Sequence, residues 1–387
     1  MIINKPLFFM VIFSCLLLGC SGKKESIDTI NNFETAYWPI FRGDQNLSGV
    51  TDAELPDDLL LRWSFETESD IISSPVVGFG NVYIGSTDGK IYSIDLRNGE
   101  KKWEFDAKDD IEASPLLFDQ TIYIGNLSGS FFAIDALTGR IKWNYETSGE
   151  IMGSANWAAV PSSTKKMVLV GSYDTKMYCF DAETGDLEWT YETNYYINGA
   201  PATDGHHVVF GGCDEMLHIV SVIDGTKEGE VLAGSYIAGS AALVDNRAYV
   251  GHYDSKLVCI DLAEQKIVWE YEDKESGAEF FSSPAIGKDR IFIGSRDYFL
   301  HCVDRKTGQQ IWKFQTHDEV DSSPVIVNDT VVFGSADGRL YMLDITDGRE
   351  VWSYEIGAPI PGSPAVLQGM IIIGSKDGSV YAFGASK

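Results

Sequence analysis

Six cysteines, six histidines and an aspartate that returns along the chain are the residues with the chemistry to hold a metal, attack a substrate or pass electrons. The cysteines, Cys15, Cys20, Cys179, Cys213, Cys259 and Cys302, form no CxxC, CxxCH or adjacent pair, which removes the simple zinc, haem and vicinal-disulfide patterns. His206, His207, His218, His252, His301 and His317 share no repeated spacing, so they read as structural side chains rather than ligands. Asp88, Asp174, Asp214, Asp254, Asp297, Asp337 and Asp377 each stand three residues after a glycine. One carboxylate per copy is turn chemistry and not a calcium cage. No catalytic residue, no metal site and no cofactor are expected, and the chain is expected not to be an enzyme.

These residues sit in a repeat. The stretch "AIDALTGRIKW" (133–143) returns along the chain, its Trp falling at Trp63, Trp103, Trp143, Trp189, Trp269, Trp312 and Trp352, with Gly229 in the one slot that lacks it. A strand-ending glycine recurs at Gly85, Gly125, Gly171, Gly211, Gly251, Gly294, Gly334 and Gly374, 18 residues before each Trp slot that follows. A third mark is the small-small-Pro/Ala step, such as "SSP" at 73–75, 282–284 and 322–324. The marks count eight units of about 40 residues, the period of four-stranded propeller blades. Cys179, Cys259 and Cys302 fall in the slot of Ala133 and read as buried small apolar residues.

The expected fold is an all-β, eight-bladed propeller of four-stranded blades over 61–387. The chain stops one strand short of completing its eighth unit, while "LLRWSFET" (60–67) is a lone Trp strand before the first. The N-terminal strand must therefore complete the last blade, which leaves no open sheet edge at the closure. The recurring Trp is read as a dock between blades. Blade 4 lacks that Trp at Gly229 and blade 5 lacks the turn glycine, with Gln265 there instead, so this sector is expected to be the least stable of the ring.

The pattern met by Ala133, Asp135, Thr138, Gly139 and Trp143 resembles the tryptophan-docking motif of the pyrroloquinoline-quinone (PQQ)-like repeat propellers. "YWPIFRGDQNLSGV" (37–50) is similar to the Trp-Pro-x-Phe-Arg-Gly segment that precedes many of them, and Trp38, Phe41 and Arg42 are expected to pack on the propeller body. The resemblance implies either a quinoprotein dehydrogenase or a non-enzymatic propeller. The dehydrogenases carry pocket-building insertions, a vicinal Cys pair and a calcium cluster. This chain has near-minimal blades and no adjacent cysteines, so the non-enzymatic branch is the expectation, with carbohydrate or small-ligand binding as the alternative.

Charge and the N-terminus narrow the setting. With 30 basic against 57 acidic residues, the formal charge of −27 opposes binding to nucleic acid or anionic lipid. The run "LFFMVIFSCLLL" (7–18) is too short to span a bilayer. It ends in "LLGC" (17–20), which resembles a bacterial lipoprotein signal, with cleavage after residue 19 and lipid on Cys20. Residues 20–36 are then a lipidated leash, and 37–60 a leading segment before the propeller. The lipid-tethered, minimal form is similar to accessory lipoproteins of outer-membrane β-barrel assembly. That implies a monomeric interaction scaffold at the outer membrane, facing the periplasm.

The blade-to-blade crossings differ around the ring. Acid dominates at 66–72, 106–112 and 316–321, whereas Tyr195, Tyr196, Ile197, Tyr236, Phe280 and Phe281 stand on three consecutive crossings and are the candidate partner interface, the alternative being that some of them plug the central channel. Cys20→Ala should move the protein from the membrane pellet to the soluble fraction, since one lipidated residue supplies the tether. Retention of the variant in the pellet after a high-salt wash would show that the tether lies elsewhere.

Overall fold

Alternation and turn residues encode four strands per unit. In the first unit, Val76–Gly78, Asn81–Gly85, Lys90–Asp95 and Lys101–Asp106 are separated by tight turns. Gly99 takes φ 76° in the last of these, where the Asp95 carboxylate accepts the Arg97 N–H at 2.8 Å. The computed structural model describes residues 33–275 and 277–385 and arranges the units as eight four-stranded blades of a propeller, the seventh sheet gaining Val50–Thr51 as a fifth, parallel strand beside Val325–Val327. The lipobox and most of the expected leash lie outside the described residues. Leu59–Glu66 pairs antiparallel with Ser379–Ala385 and closes blade 8 as expected.

Three contacts repeat at the seams. The indole N–H of Trp63, Trp103, Trp143, Trp189, Trp269, Trp312 and Trp352 each reaches a backbone carbonyl of the next blade, those of Leu96, Ala136, Ala182, Val222, Arg305, Ile345 and Leu59, at 2.9–3.2 Å. Each strand-ending glycine makes room for an apolar knob from the following crossing. A Cβ on Gly125 would lie 2.1 Å from Ile151 Cγ2, and one on Gly171 would lie 2.4 Å from Ile197 Cγ2. Lastly, the serine step forms a broken ring: Ser74 N–H donates to Ser114 Oγ, and Ser363 N–H closes back onto Ser74 Oγ at 2.8 Å. Ala200, Ser240, Ser283 and Ser323 donate in the same way to the next blade's serine.

The seam between blades 4 and 5 departs from this pattern on both sides at once. The Gln265 carboxamide occupies the space over Gly229 and donates from Nε2 to Glu228 O at 3.1 Å. The missing Trp and the missing glycine are thus two halves of one substituted contact.

The leading segment does more than pack on the body. It runs past the blades in chain order and accepts backbone N–H groups from the inner strands of blades 1, 2 and 4 to 7 and from the turn after the inner strand of blade 8. Val77, Leu117, Thr203, Leu243, Ile286, Ile326 and Gly369 donate to the carbonyls of Trp38, Pro39, Gln45, Asn46, Ser48, Gly49 and Glu54. Blade 3 is held through Asn156 Nδ2 on Gln45 O at 2.8 Å. Arg42, expected to lie against the propeller, is fully buried at its centre. Its guanidinium donates to Pro284 O at 2.9 Å and to Pro324 O, bracing blades 6 and 7. Burial lowers its pKa to about 9, which leaves it charged at neutral pH.

Gly125→Ala should destabilise the protein by about 1–3 kcal/mol, the usual cost of overpacking a filled core. Thermal unfolding of Gly125→Ala, Ile151→Ala and the double variant checks this. The two effects should couple, and simple additivity would sink the knob assignment.

Candidate functional site

The leading segment closes the central channel from one side, and Phe41 floors what remains: a funnel of about 260 Å³ that opens among the crossings. Its wall is the serine ring, and its mouth carries Glu112, Tyr173, Asn198, Tyr253, Phe281 and Asp321. Burial pushes the Glu112 carboxyl above its usual range, helped by Asp110 and Glu150. Asp321 accepts both its bonds from the Arg296 guanidinium, Nε at 3.0 Å and Nη2 at 2.9 Å.

Around this mouth the structure brings most of the sequence-predicted aromatics together. Tyr173 stacks on Tyr196 with centroids 4.8 Å apart, and Tyr196 meets Tyr195 at 4.5 Å. The arc continues through Tyr236 and Tyr253 to Phe281, over whose ring Arg296 lies at 4.1 Å. Tyr195 and Tyr236 are 48% and 47% exposed, and Tyr196 and Tyr253 are also open to solvent.

Two of the six candidates do not belong. Ile197 and Phe280 are 0% and 1% exposed, because theirs is the knob position that fills the hole beside Gly171 and Gly251. Tyr173, Tyr253 and Arg296 were missed by sequence reasoning. All three stand two residues after a strand-ending glycine, in the turn that shares the crossing face, and comparing that one column across the eight units would have found them.

The crossings are not equally tied down. In six blades the residue after the strand-ending glycine pins the crossing: Ser86 Oγ donates to Asp70 O, Asn126 Nδ2 to Ala107 O, and Ser172 Oγ to Gly149 O. Ser295, Ser335 and Ser375 do the same for Glu279, Glu319 and Pro359. Blades 4 and 5 hold Gly212 and His252 there instead, so the crossings bearing Tyr195, Tyr196 and Tyr236 lack this pin.

The histidines and repeated aspartates behave as turn chemistry. Tyr92 donates to Asp88 and Tyr178 to Asp174, each at 2.6 Å. His218 and His301 replace that tyrosine, placing Nε2 3.0 Å from Asp214 and Asp297 and Nδ1 beside Tyr191 and Tyr271. Asp273, Asp297 and His301 converge closely enough to hold a cation, but Lys313 already supplies one, its Nζ 2.9 Å from Asp273.

The sequence profile of the family described as "Outer membrane protein assembly factor BamB" matches residues 60–228, 146–296 and 227–387. The chain belongs to this family. BamB from Moraxella catarrhalis superposes with a TM-score of 0.72 at 20% identity, covering 85% of this chain and 98% of that one. The computationally designed Ika8 protein gives 0.72 at 17%, covering 83% and 98%. The quinohemoprotein alcohol dehydrogenase of Comamonas testosteroni gives 0.73 at 15%, covering 91% and 81%. At such identities these structures share the fold alone. No curated protein sequence matches the chain.

In this BamB-family propeller the unpinned face has an acid-sensitive member. His252 Nδ1 accepts the Asp254 N–H at 3.2 Å, so the neutral ring carries its proton on Nε2, which is buried with no partner. Burial lowers its pKa below the usual 6.5. The unfolded chain then takes up a proton that the folded ring resists, so this contribution to stability is full above pH 6.5 and is lost as pH falls below it. His252→Ser should flatten the decline in Tm between neutral and acid pH and slow amide exchange over 234–239, with a gain of about 0.5–1.5 kcal/mol from the restored hydroxyl bond. An unchanged pH profile would reject the assignment.

Proposed function

We propose that this chain is a non-catalytic scaffold, anchored by lipid on Cys20 at the periplasmic side of the outer membrane, that docks a component of β-barrel protein assembly on its crossing face. The family match supports the assembly setting. The observation that carries the reading is the arc of exposed Tyr196, Tyr195, Tyr236 and Tyr253, extended by the half-buried Tyr173 and borne partly on the two crossings that lack the side-chain pin. Rigid aromatic rings give large contact area at low entropic cost, and loosely held loops can adapt to a partner. A quinone cofactor fits poorly: pyrroloquinoline quinone is a tricarboxylate, while the funnel offers the carboxylates of Glu112 and Asp321, the latter already holding Arg296.

A photo-crosslinking residue placed at Tyr236 should capture the β-barrel insertase in intact cells, and one at Leu137, exposed on a turn outside the arc, should not. The pair Tyr195→Ala and Tyr236→Ala should cut co-purification at least tenfold while shifting stability by no more than about 0.5 kcal/mol per exposed site. Capture from Leu137 alone, or none from Tyr236, would overturn the scaffold reading.

A further inference from the structure

We infer that the central funnel is a binding site for an organic ammonium group. The hydroxyls of its serine ring have each accepted one backbone N–H and keep a lone pair and an O–H, and of the two carboxylates in its lining only Glu112 lacks a counter-ion among the described residues. Glu112 is half-buried at the funnel wall and forms no ion pair among the described residues; Lys376 acts on it only through space, while Asp110 and Glu150 add like charge. Asn198 spends its Nδ2 on Cys213 Sγ at 3.1 Å, which leaves Oδ1 buried with no donor.

Above the serine ring the mouth is partly aromatic. Tyr173, Tyr253 and Phe281 line the same space. A carboxylate without a counter-ion, an acceptor without a donor and aromatic rings around a small hollow together call for a cation with N–H or N–CH₃ groups on a short carbon stem. An anion would meet uncompensated carboxylate, and a neutral apolar group would bury that carboxylate further with no partner. The chain's charge of −27 draws cations toward the mouth. A volume of about 260 Å³ admits an ammonium head and a few carbons. Two sources share this chemistry, a free amine and the side chain of a lysine on another polypeptide. The inference stands apart from the scaffold reading, since the funnel's unpaired acceptors exist whatever docks outside it.

Calorimetric titration of the full chain in detergent, at low salt, with n-butylammonium and with Nα-acetyl-lysine methylamide tests it, with n-butanol as the neutral control. Both amines should bind with Kd near or below 1 mM, and n-butanol should not. Glu112→Gln should weaken binding at least fivefold, and Asp109→Asn, a charge removal on the same crossing but exposed, should leave it within twofold. Tighter binding of the lysine derivative assigns the site to a polypeptide, and tighter binding of butylammonium assigns it to a free amine. No binding by either amine, or equal losses in the two charge variants, overturns the site in favour of unspecific attraction to an acidic surface. Tyr253→Ala should likewise weaken both amines, and an unchanged affinity would overturn the aromatic part of the site.

Discussion

A propeller of open blades has an unsolved problem at its axis: the innermost strand of every blade presents a row of backbone N–H and C=O groups with no neighbour. Here the leading segment answers it. One stretch of chain passes all eight blades in order and takes a backbone or side-chain hydrogen bond from each. Arg42 at its middle donates to the carbonyls of Pro284 and Pro324, and Gly49 must be glycine because a Cβ would collide with that guanidinium. The channel is therefore closed at one end by the protein's own backbone, and the other end becomes a shallow funnel with its chemistry on display.

The seams distribute the remaining burden unevenly with depth. Near the axis they rely on serine hydroxyls, at mid-blade on a glycine hole filled by an isoleucine, valine or phenylalanine, and at the rim on an indole reaching a carbonyl. Each is short-range and shape-dependent, so the ring is stiff. Apart from the Gly229–Gln265 seam, variation gathers on the crossings and turns of one face, where aromatics occupy blades 3 to 6 and carboxylates blades 1, 2 and 7.

The repeat was legible because it is enforced by sterics at fixed offsets: a hole needs glycine, and an indole needs a turn it can lie under. Ring closure followed from counting strands. The inner role of residues 37–54 was not legible, since a segment without periodicity that accepts bonds through its carbonyls needs no particular side chains, and only Arg42 and the glycines hint at it. Ile197 and Phe280 were misplaced for a related reason. Adjacent residues on a crossing look alike in sequence, yet one points into the seam and its neighbour out to water, and only the knob column, read across all units, separates them. Asn198 and Glu112 carry no sequence signature at all; their character comes from what fails to lie next to them.

The clasp has a consequence for how the molecule comes into being. Residues 38–66 are made early, but their partners are scattered to the far end of the chain: Glu54 waits for Gly369, and Leu59–Glu66 waits for Ser379–Ala385. Such distant pairings are slow to form because the intervening chain must be gathered first. A polypeptide delivered from its N-terminus thus holds its axle and its final rim strand in reserve until the eighth blade has emerged. The wheel cannot be built spoke by spoke to completion; it is assembled around a part that was present from the start and could not be fitted until the end.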